Sequence, residues 1–267
     1  MSSPPDNSAE YLNDSAKLFD SSSDEEVVYS YTTYNRVEPI KNHNDIKSIQ
    51  VRLPQKHSLW AHLSWNAGVA LSDYLEATVD FTNKTVLELG SGAGLPCYMA
   101  TLNGGSRVVM TDYPDKTLID NLQYNRDNTL PSSITDNKLL AVPHLWGNEP
   151  ETLNQLLDNP ANKYDIIILS DLIFNHQAHF NMLKTCAACL SDNGIIYVSF
   201  THHRPHRREK DLNFFTVAAE APFNFIVEKF MERLMKPMFE VDLGCEVTRS
   251  TVNFYTMRKQ PQQSSSS

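Results

Sequence analysis

From residue 85 onward, short and almost wholly apolar runs alternate with longer segments whose apolar residues recur every three or four positions. The runs are Thr85-Val-Leu-Glu-Leu89, Arg107-Val-Val-Met-Thr111, Leu139-Leu-Ala-Val142, Tyr164-Asp-Ile-Ile-Ile-Leu169 and Gly194-Ile-Ile-Tyr-Val-Ser-Phe200. Strands covered on both faces read as continuous apolar runs, so these predict five neighbours in a parallel sheet. The intervening spacing predicts helices over 94–103, 116–128, 151–157 and 181–190, then a longer one over 212–235. Two alternating segments, 239–243 and 252–256, predict an antiparallel pair at the sheet edge. Upstream, the alternation at 48–53 predicts a strand or hairpin, and the three-and-four spacing at 58–75 predicts a helix feeding the main sheet. The expected fold is α/β: a Rossmann-like, doubly wound, seven-stranded, mostly parallel sheet with an antiparallel edge hairpin and an N-terminal extension. A ligand is expected at the carboxyl ends of the strands.

Outside this rhythm the pattern fades. Residues 1–28 are rich in Ser, Asp and Glu, with few large apolar side chains, and read as a disordered acidic tail; 260–267, ending in a serine run, reads as a second tail. Residues 29–259 are expected to form one domain. With 41% hydrophobic residues in 267, the chain can build one sizeable core but not two full enzyme domains. The formal charge is −9, and the first 40 residues carry −6 of it, with eight acids against Lys17 and Arg36. Such a chain lacks the cationic footprint that phosphate backbones require, so no nucleic-acid partner is expected, and a cationic acceptor suits it better than an anionic one. The start has no basic segment followed by an apolar run, and no stretch approaches the ~20 apolar residues that span a bilayer, so neither a secretory signal nor a membrane partner is expected. Four cysteines make no disulfide framework, which fits a reducing, cytoplasmic setting.

The candidate chemistry begins at Glu88-Leu-Gly90-Ser91-Gly92-Ala-Gly94, the turn from the first parallel strand to its helix. Glycines let the chain turn tightly and let a ligand lie against main chain. A dinucleotide fingerprint would place its third glycine where Leu95 stands, and no Lys-Ser/Thr pair follows to cradle a triphosphate. Asp112 ends the second strand, eighteen residues beyond Gly94, where a carboxylate can accept ribose hydroxyls. Taken alone, Asp112 reads equally well as a turn or capping residue.

The acidic-x-Gly-x-Gly-x-Gly form resembles motif I of the class I methyltransferases that use S-adenosylmethionine. Further segments narrow the resemblance: Leu59-Trp60-Ala-His-Leu-Ser-Trp65-Asn66-Ala67, Thr111-Asp112-Tyr113-Pro114-Asp115, Asn121-Leu-Gln-Tyr-Asn125, Trp146-Gly147-Asn148, Ser170-Asp171-Leu-Ile-Phe174-Asn175-His176 and Thr201-His-His-Arg-Pro205. Together they resemble the family-16 seven-β-strand methyltransferases over about residues 59–259. Within that family they resemble the branch acting on the N-terminal glycine and adjacent lysine of elongation factor 1-alpha. The resemblance implies S-adenosylmethionine as cofactor and elongation factor 1-alpha as protein partner. It implies cofactor contacts from Trp65, Glu88, Gly90, Ser91, Gly92, Asp112, Trp146 and Ser170. Glu88 would lie near the methionine amino group, and Trp146 beside the adenine, which needs a flat apolar slot. The signature Asp171-Leu-Ile-Phe174 marks the catalytic side. Many members carry Tyr where Phe174 stands, so no argument here can rest on a phenol at that place. A monomer is expected.

Other motifs point elsewhere less well. Cys186-Ala-Ala-Cys189 has redox or zinc spacing, but it lies in an apolar helix with no second pair and reads as small core residues. His202, His203 and His206 with Arg204, Arg207 and Arg208 form a basic cluster after the fifth strand and read as a solvated or substrate-facing loop, not a metal site. Two rival readings stay open: a small-molecule N-methyltransferase for a pyridine such as nicotinamide, and a non-catalytic binding module. An intact glycine turn with Asp112 argues against the second.

Overall fold

The computed structural model describes residues 27–55, 63–239 and 244–261. A two-stranded hairpin comes first, β1 (Tyr29–Asn35) and β2 (Ser48–Pro54), then helix α1 (Asn66–Thr78). The main sheet follows: β3 (Thr85–Leu89), α2 (Leu95–Leu102), β4 (Arg107–Asp112), α3 (Lys116–Asn128), a short α4 (Ser132–Thr135), β5 (Leu139–Pro143), α5 (Glu151–Asn154), β6 (Tyr164–Ser170), α6 (His179–Cys189) and β7 (Leu190–Thr201). The chain closes with α7 (Arg208–Ala219), β8 (Ile226–Leu234), α8 (Glu246–Ser250) and β9 (Thr251–Arg258). The seven-stranded sheet has the order β5-β4-β3-β6-β7-β9-β8. Its first five strands are parallel, and β9 pairs antiparallel with both β7 and β8. Val86, Leu87, Leu89, Val108, Val109, Ile167, Ile168 and Leu169 are fully buried, as the apolar runs require of a sheet covered on both faces. From β3 the chain winds outward to β4 and β5, then returns to β6. The strand order therefore reverses between β3 and β6, and a crevice opens at their carboxyl ends.

Three expected elements differ. The helix expected over 212–235 is α7 followed by strand β8. Pro222 supplies no N–H for a helix, and Asn224 takes a left-handed backbone with φ 52°, so the chain turns before Ile226. The antiparallel partner of β9 is thus β8, not 239–243; of that segment, 240–243 lie outside the described residues and Phe239 is not in a strand. The helix expected over 58–75 starts at Asn66: 56–62 lie outside the described residues, and Trp65 is extended, with ψ 142°. The two tail assignments fall almost entirely outside the described residues.

The N-terminal hairpin is built into the domain. Ile49, Val51 and Leu53 alternate inward from β2. Asn125 Oδ1 accepts from Arg52 N at 2.8 Å, and the side-chain amides of Asn121 and Asn125 donate to Arg52 O. The Arg52 guanidinium lies over the rings of Tyr29 and Tyr124 at 3.9 and 3.5 Å. On the other side Arg36, buried, forms a two-pronged ion pair with Glu76 of α1, and its remaining N–H groups donate to the carbonyls of Asn42, His43 and Ile46.

Breaking a buried ion pair from one side strands the other charge. Arg36→Ala should therefore lower unfolding stability by about 3–5 kcal/mol in urea titrations. Lys47→Ala, which breaks an ion pair to Glu38 with both side chains more than half exposed, should leave the urea midpoint unchanged. Equal shifts would mean that the Arg36 pair does not anchor the hairpin.

Candidate active site

The turn after β3 is shaped by backbone conformations that favour glycine. Gly90 and Gly94 have φ 59° and 77°; a Cβ on Gly90 would sit 2.6 Å from Leu172 Cδ2 and 3.2 Å from Trp146 Cζ2, and one on Gly94 would strike Met110. A Cβ on Gly92 would meet nothing within 4 Å, so there the main chain lies against open space. The turn is tied to the end of β4 by four hydrogen bonds. Ser91 N donates to Thr111 O (2.8 Å), Thr111 N to Ser91 Oγ (3.1 Å), Thr111 Oγ1 to Glu88 O (2.8 Å) and Gly92 N to Asp112 Oδ2 (2.8 Å). Asp112 Oδ1 accepts from Tyr113 N. Helix α3 is capped instead by Asp115, whose carboxylate accepts from Thr117 N and Leu118 N, so the capping role considered for Asp112 belongs to its neighbour.

These groups open onto a cavity of about 400 Å³ at the β3–β6 crevice. Trp65, Glu88, Gly90, Ser91, Gly92, Asp112, Trp146, Ser170, Asp171 and Phe174 all line it, so residues from five separate segments meet in one space. Glu88 is fully buried, and its Oε2 has no hydrogen-bond partner among the described residues. Burial, reinforced by the Asp112 charge, pushes its carboxyl up to about 8. The Ser91 side chain is spent inside the turn. Trp146 brings an indole edge over Gly90. Ser170 Oγ stands 3.5 Å from the hydroxyl of Ser199, which donates towards it and to Ala67 O.

The opposite wall is aromatic and acidic. Asp171 is buried with its backbone in the left-handed region, φ 58°. Its N–H donates to Ser199 O at 2.8 Å, and its Oδ1 accepts from Thr201 N at 3.3 Å. His203 Nε2 reaches both carboxylate oxygens at 2.9 Å. Asp171 is therefore not a helix cap. The His203 ring contacts Trp65 edge-on, with centroids 4.8 Å apart, and Phe174 at 6.3 Å; Trp65 also contacts Phe239. Phe174 and Phe239 are more than one-third exposed, which places them at the mouth.

Sequence reasoning passed over several groups here. Gly68, His144, Leu172 and Asn181 line the cavity, and His203 braces Asp171; of Tyr113, Tyr124 and Asn175, which the sequence offered as polar contacts without choosing among them, Tyr113 and Asn175 line it. The basic loop expected to be solvated or substrate-facing divides: Arg204, His206 and Arg208 are exposed, whereas His202 is buried against Asp211. Cys186 and Cys189 are buried in the apolar core, and burial pushes both thiols up, Cys189 to about 12.

The donor set suits S-adenosylmethionine. The unpartnered Glu88 oxygen can accept from an ammonium, the Gly92 main chain offers a surface that a β-carbon would fill, and Trp146 supplies a flat apolar face. About 400 Å³ is ample for a ligand of that size.

The fold and this cavity together define an S-adenosylmethionine-dependent methyltransferase. In structure the chain is similar to a putative methyltransferase of that kind from Streptococcus mutans, with a TM-score of 0.51 and 16% identity over 78% of this chain and 53% of that one. The profile of the lysine methyltransferase family matches residues 44–221, and the chain belongs to that family. It is 41% identical to the protein N-terminal and lysine N-methyltransferase efm7 of Schizosaccharomyces pombe, over 80% of this chain and 84% of the relative. It is 39% identical to the enzyme of the same name in Candida glabrata, over 93% and 97%.

Two measurements probe the cofactor wall. Asp112→Ala should weaken S-adenosylmethionine binding at least thirtyfold by calorimetry, about 2 kcal/mol, with the circular dichroism spectrum unchanged; near-wild-type affinity would remove Asp112 from the site. The second uses Glu88 without ligand. Its carboxyl ordinarily titrates at 4.5 and in the folded protein at about 8, so the folded state keeps a proton that the unfolded chain releases between those values. Stability should therefore decline as pH rises through that window, by at most about 1.4 kcal/mol per pH unit, and Glu88→Gln should flatten the decline. An identical slope in the variant would show that Glu88 is already ionised in the folded state.

Proposed function

We propose that this enzyme methylates protein amines, namely the unblocked N-terminal glycine and the adjacent lysine of elongation factor 1-alpha. The observation that carries the reading is the cavity's second wall: a buried carboxylate, Asp171, framed by Trp65, Phe174 and the His203 ring. A carboxylate among aromatic faces suits a cationic acceptor, since both its charge and the ring quadrupoles attract ammonium. It suits a neutral pyridine less, which is why the nicotinamide-type alternative ranks second. The names of the fungal relatives, protein N-terminal and lysine N-methyltransferase, support the same class of acceptor. The identity of elongation factor 1-alpha comes from the motif set quoted above.

S-adenosylmethionine, when bound, supplies a methyl group already activated on a sulfonium. On this reading Glu88, Gly90, Gly92, Asp112, Trp146 and Ser170 hold it, with Ser91 keeping the turn in shape; Trp65, expected from the resemblance as a cofactor contact, stands against His203 and is read instead as flanking the acceptor with Phe174. Asp171 accepts a hydrogen bond from the acceptor nitrogen and orients it. The amine has to lose a proton before it can attack. An α-amino group does so near pH ~8 and a lysine only near ~10.4, so the terminal amine is the easier target at neutral pH. A translation factor as acceptor implies a cytoplasmic enzyme.

Elongation factor 1-alpha with its native terminus should take up label from methyl-labelled S-adenosylmethionine, while the same protein carrying an N-terminal tag should not. Lysine labelling should rise more steeply with pH than terminal labelling, because the neutral fraction of lysine keeps growing up to about pH 10. Equal labelling of tagged and untagged protein would sink the terminal-amine reading. Rapid turnover of nicotinamide without labelled protein would move the enzyme to the small-molecule class.

A further inference from the structure

Behind the acceptor wall lies a chain of imidazoles and carboxylates that methyl transfer has not yet used. Asp171 stands at the end of β6, and His203 lies in the loop after β7. His203 Nε2 bridges both oxygens of Asp171, and its ring is held edge-on by Trp65 and Phe174. The neighbouring His202 is buried, and its Nδ1 lies 2.6 Å from Asp211 Oδ2 in the first turn of α7. Asp211 Oδ1 in turn lies 2.7 Å from His176 Nε2, in the same loop after β6 that carries Phe174 and Asn175. One buried carboxylate on α7 thus ties together the two loops that form the acceptor wall, and His203 links that tie to Asp171. The left-handed backbone at Asp171 fits this arrangement. A non-glycine residue persists there only where its surroundings hold it, and Ser199 O, Thr201 N and His203 all do.

We propose that His203 is a positioning residue for methyl transfer: its Nε2 holds the Asp171 carboxylate facing the acceptor amine, and Asp211 holds His203 in register through His202 and His176. This rests on the reading of Asp171 as an acceptor contact. His203 contacts Asp171, Trp65 and Phe174, the residues that frame the acceptor side of the cavity. Loss of the imidazole leaves the Asp171 carboxylate, among the described residues, with the Thr201 N–H alone, free to turn from the acceptor. Glutamine at the same place can present an amide N–H where Nε2 stood.

The test measures methyl-label transfer at saturating S-adenosylmethionine, both to elongation factor 1-alpha with a free terminus and to the proteins of a cell lysate. His203→Ala should lower kcat/KM for the acceptor at least tenfold, chiefly by raising the acceptor KM, while the S-adenosylmethionine Kd stays within twofold of wild type. His203→Gln should recover most of the loss. In an Asp171→Asn background, His203→Ala should cost less than a further twofold, because the residue acts through Asp171. The proposal falls if His203→Ala keeps kcat/KM within twofold, if cofactor affinity drops in parallel, if Gln is no better than Ala, or if the two losses multiply. Wild-type enzyme that labels a lysate protein but not elongation factor 1-alpha would overturn the acceptor assignment instead, and the variants are then compared on that protein.

Discussion

The tie between the turn after β3 and the end of β4 is the constraint on which the cofactor wall depends. Main-chain groups of Ser91 and Gly92 bond to Thr111 and Asp112, and Thr111 returns bonds to Ser91 Oγ and Glu88 O. This lattice leaves little freedom at Glu88, Gly90 and Asp112, although they come from two strands. It also explains why Glu88 can remain buried with an oxygen unpaired. The surrounding bonds hold the backbone whatever the carboxyl does, so the desolvation cost is stored where a cationic group can relieve it.

The acceptor wall is built on another principle. No single turn carries it. Asp171 is set by its pairing with β7, His203 by contacts from Trp65 and Phe174, and both loops by Asp211 on α7. The cofactor wall therefore draws on local geometry near one strand-to-helix turn, whereas the acceptor wall draws on contacts between elements far apart in the chain. Loops of the acceptor wall can therefore be altered without disturbing the glycine turn.

The N-terminal extension and the sheet edge show where periodicity misleads. In residues 212–235 the apolar positions fit a helix at first and a strand later, and the change falls at Pro222 and Asn224. Reading through that proline merged two elements into one and displaced the partner of β9. At Trp65 the three-and-four spacing continued upstream of the true helix start, because a residue that packs into a cavity from an extended segment is apolar for the same reason as one on a helix face.

The sequence by itself determined the five parallel strands and the glycine turn with its acidic neighbours; Trp65, Trp146, Ser170, Asp171 and Phe174 were reachable only through the family resemblance. The strands and the turn are written in short-range terms: apolar runs, residues able to adopt positive φ, and a carboxylate at a strand end. Only the tertiary structure decided that β8 is the edge strand, that Asp171 is braced by an imidazole 32 residues away, and that His202 and His203, adjacent in a loop that reads as solvated or substrate-facing, serve a buried carboxylate and the cavity wall respectively. The physical reason is that a polar side chain carries no mark of its partner. Burial makes pairing obligatory, but which donor meets which acceptor is settled when strands and loops distant in sequence are brought to the same end of one sheet.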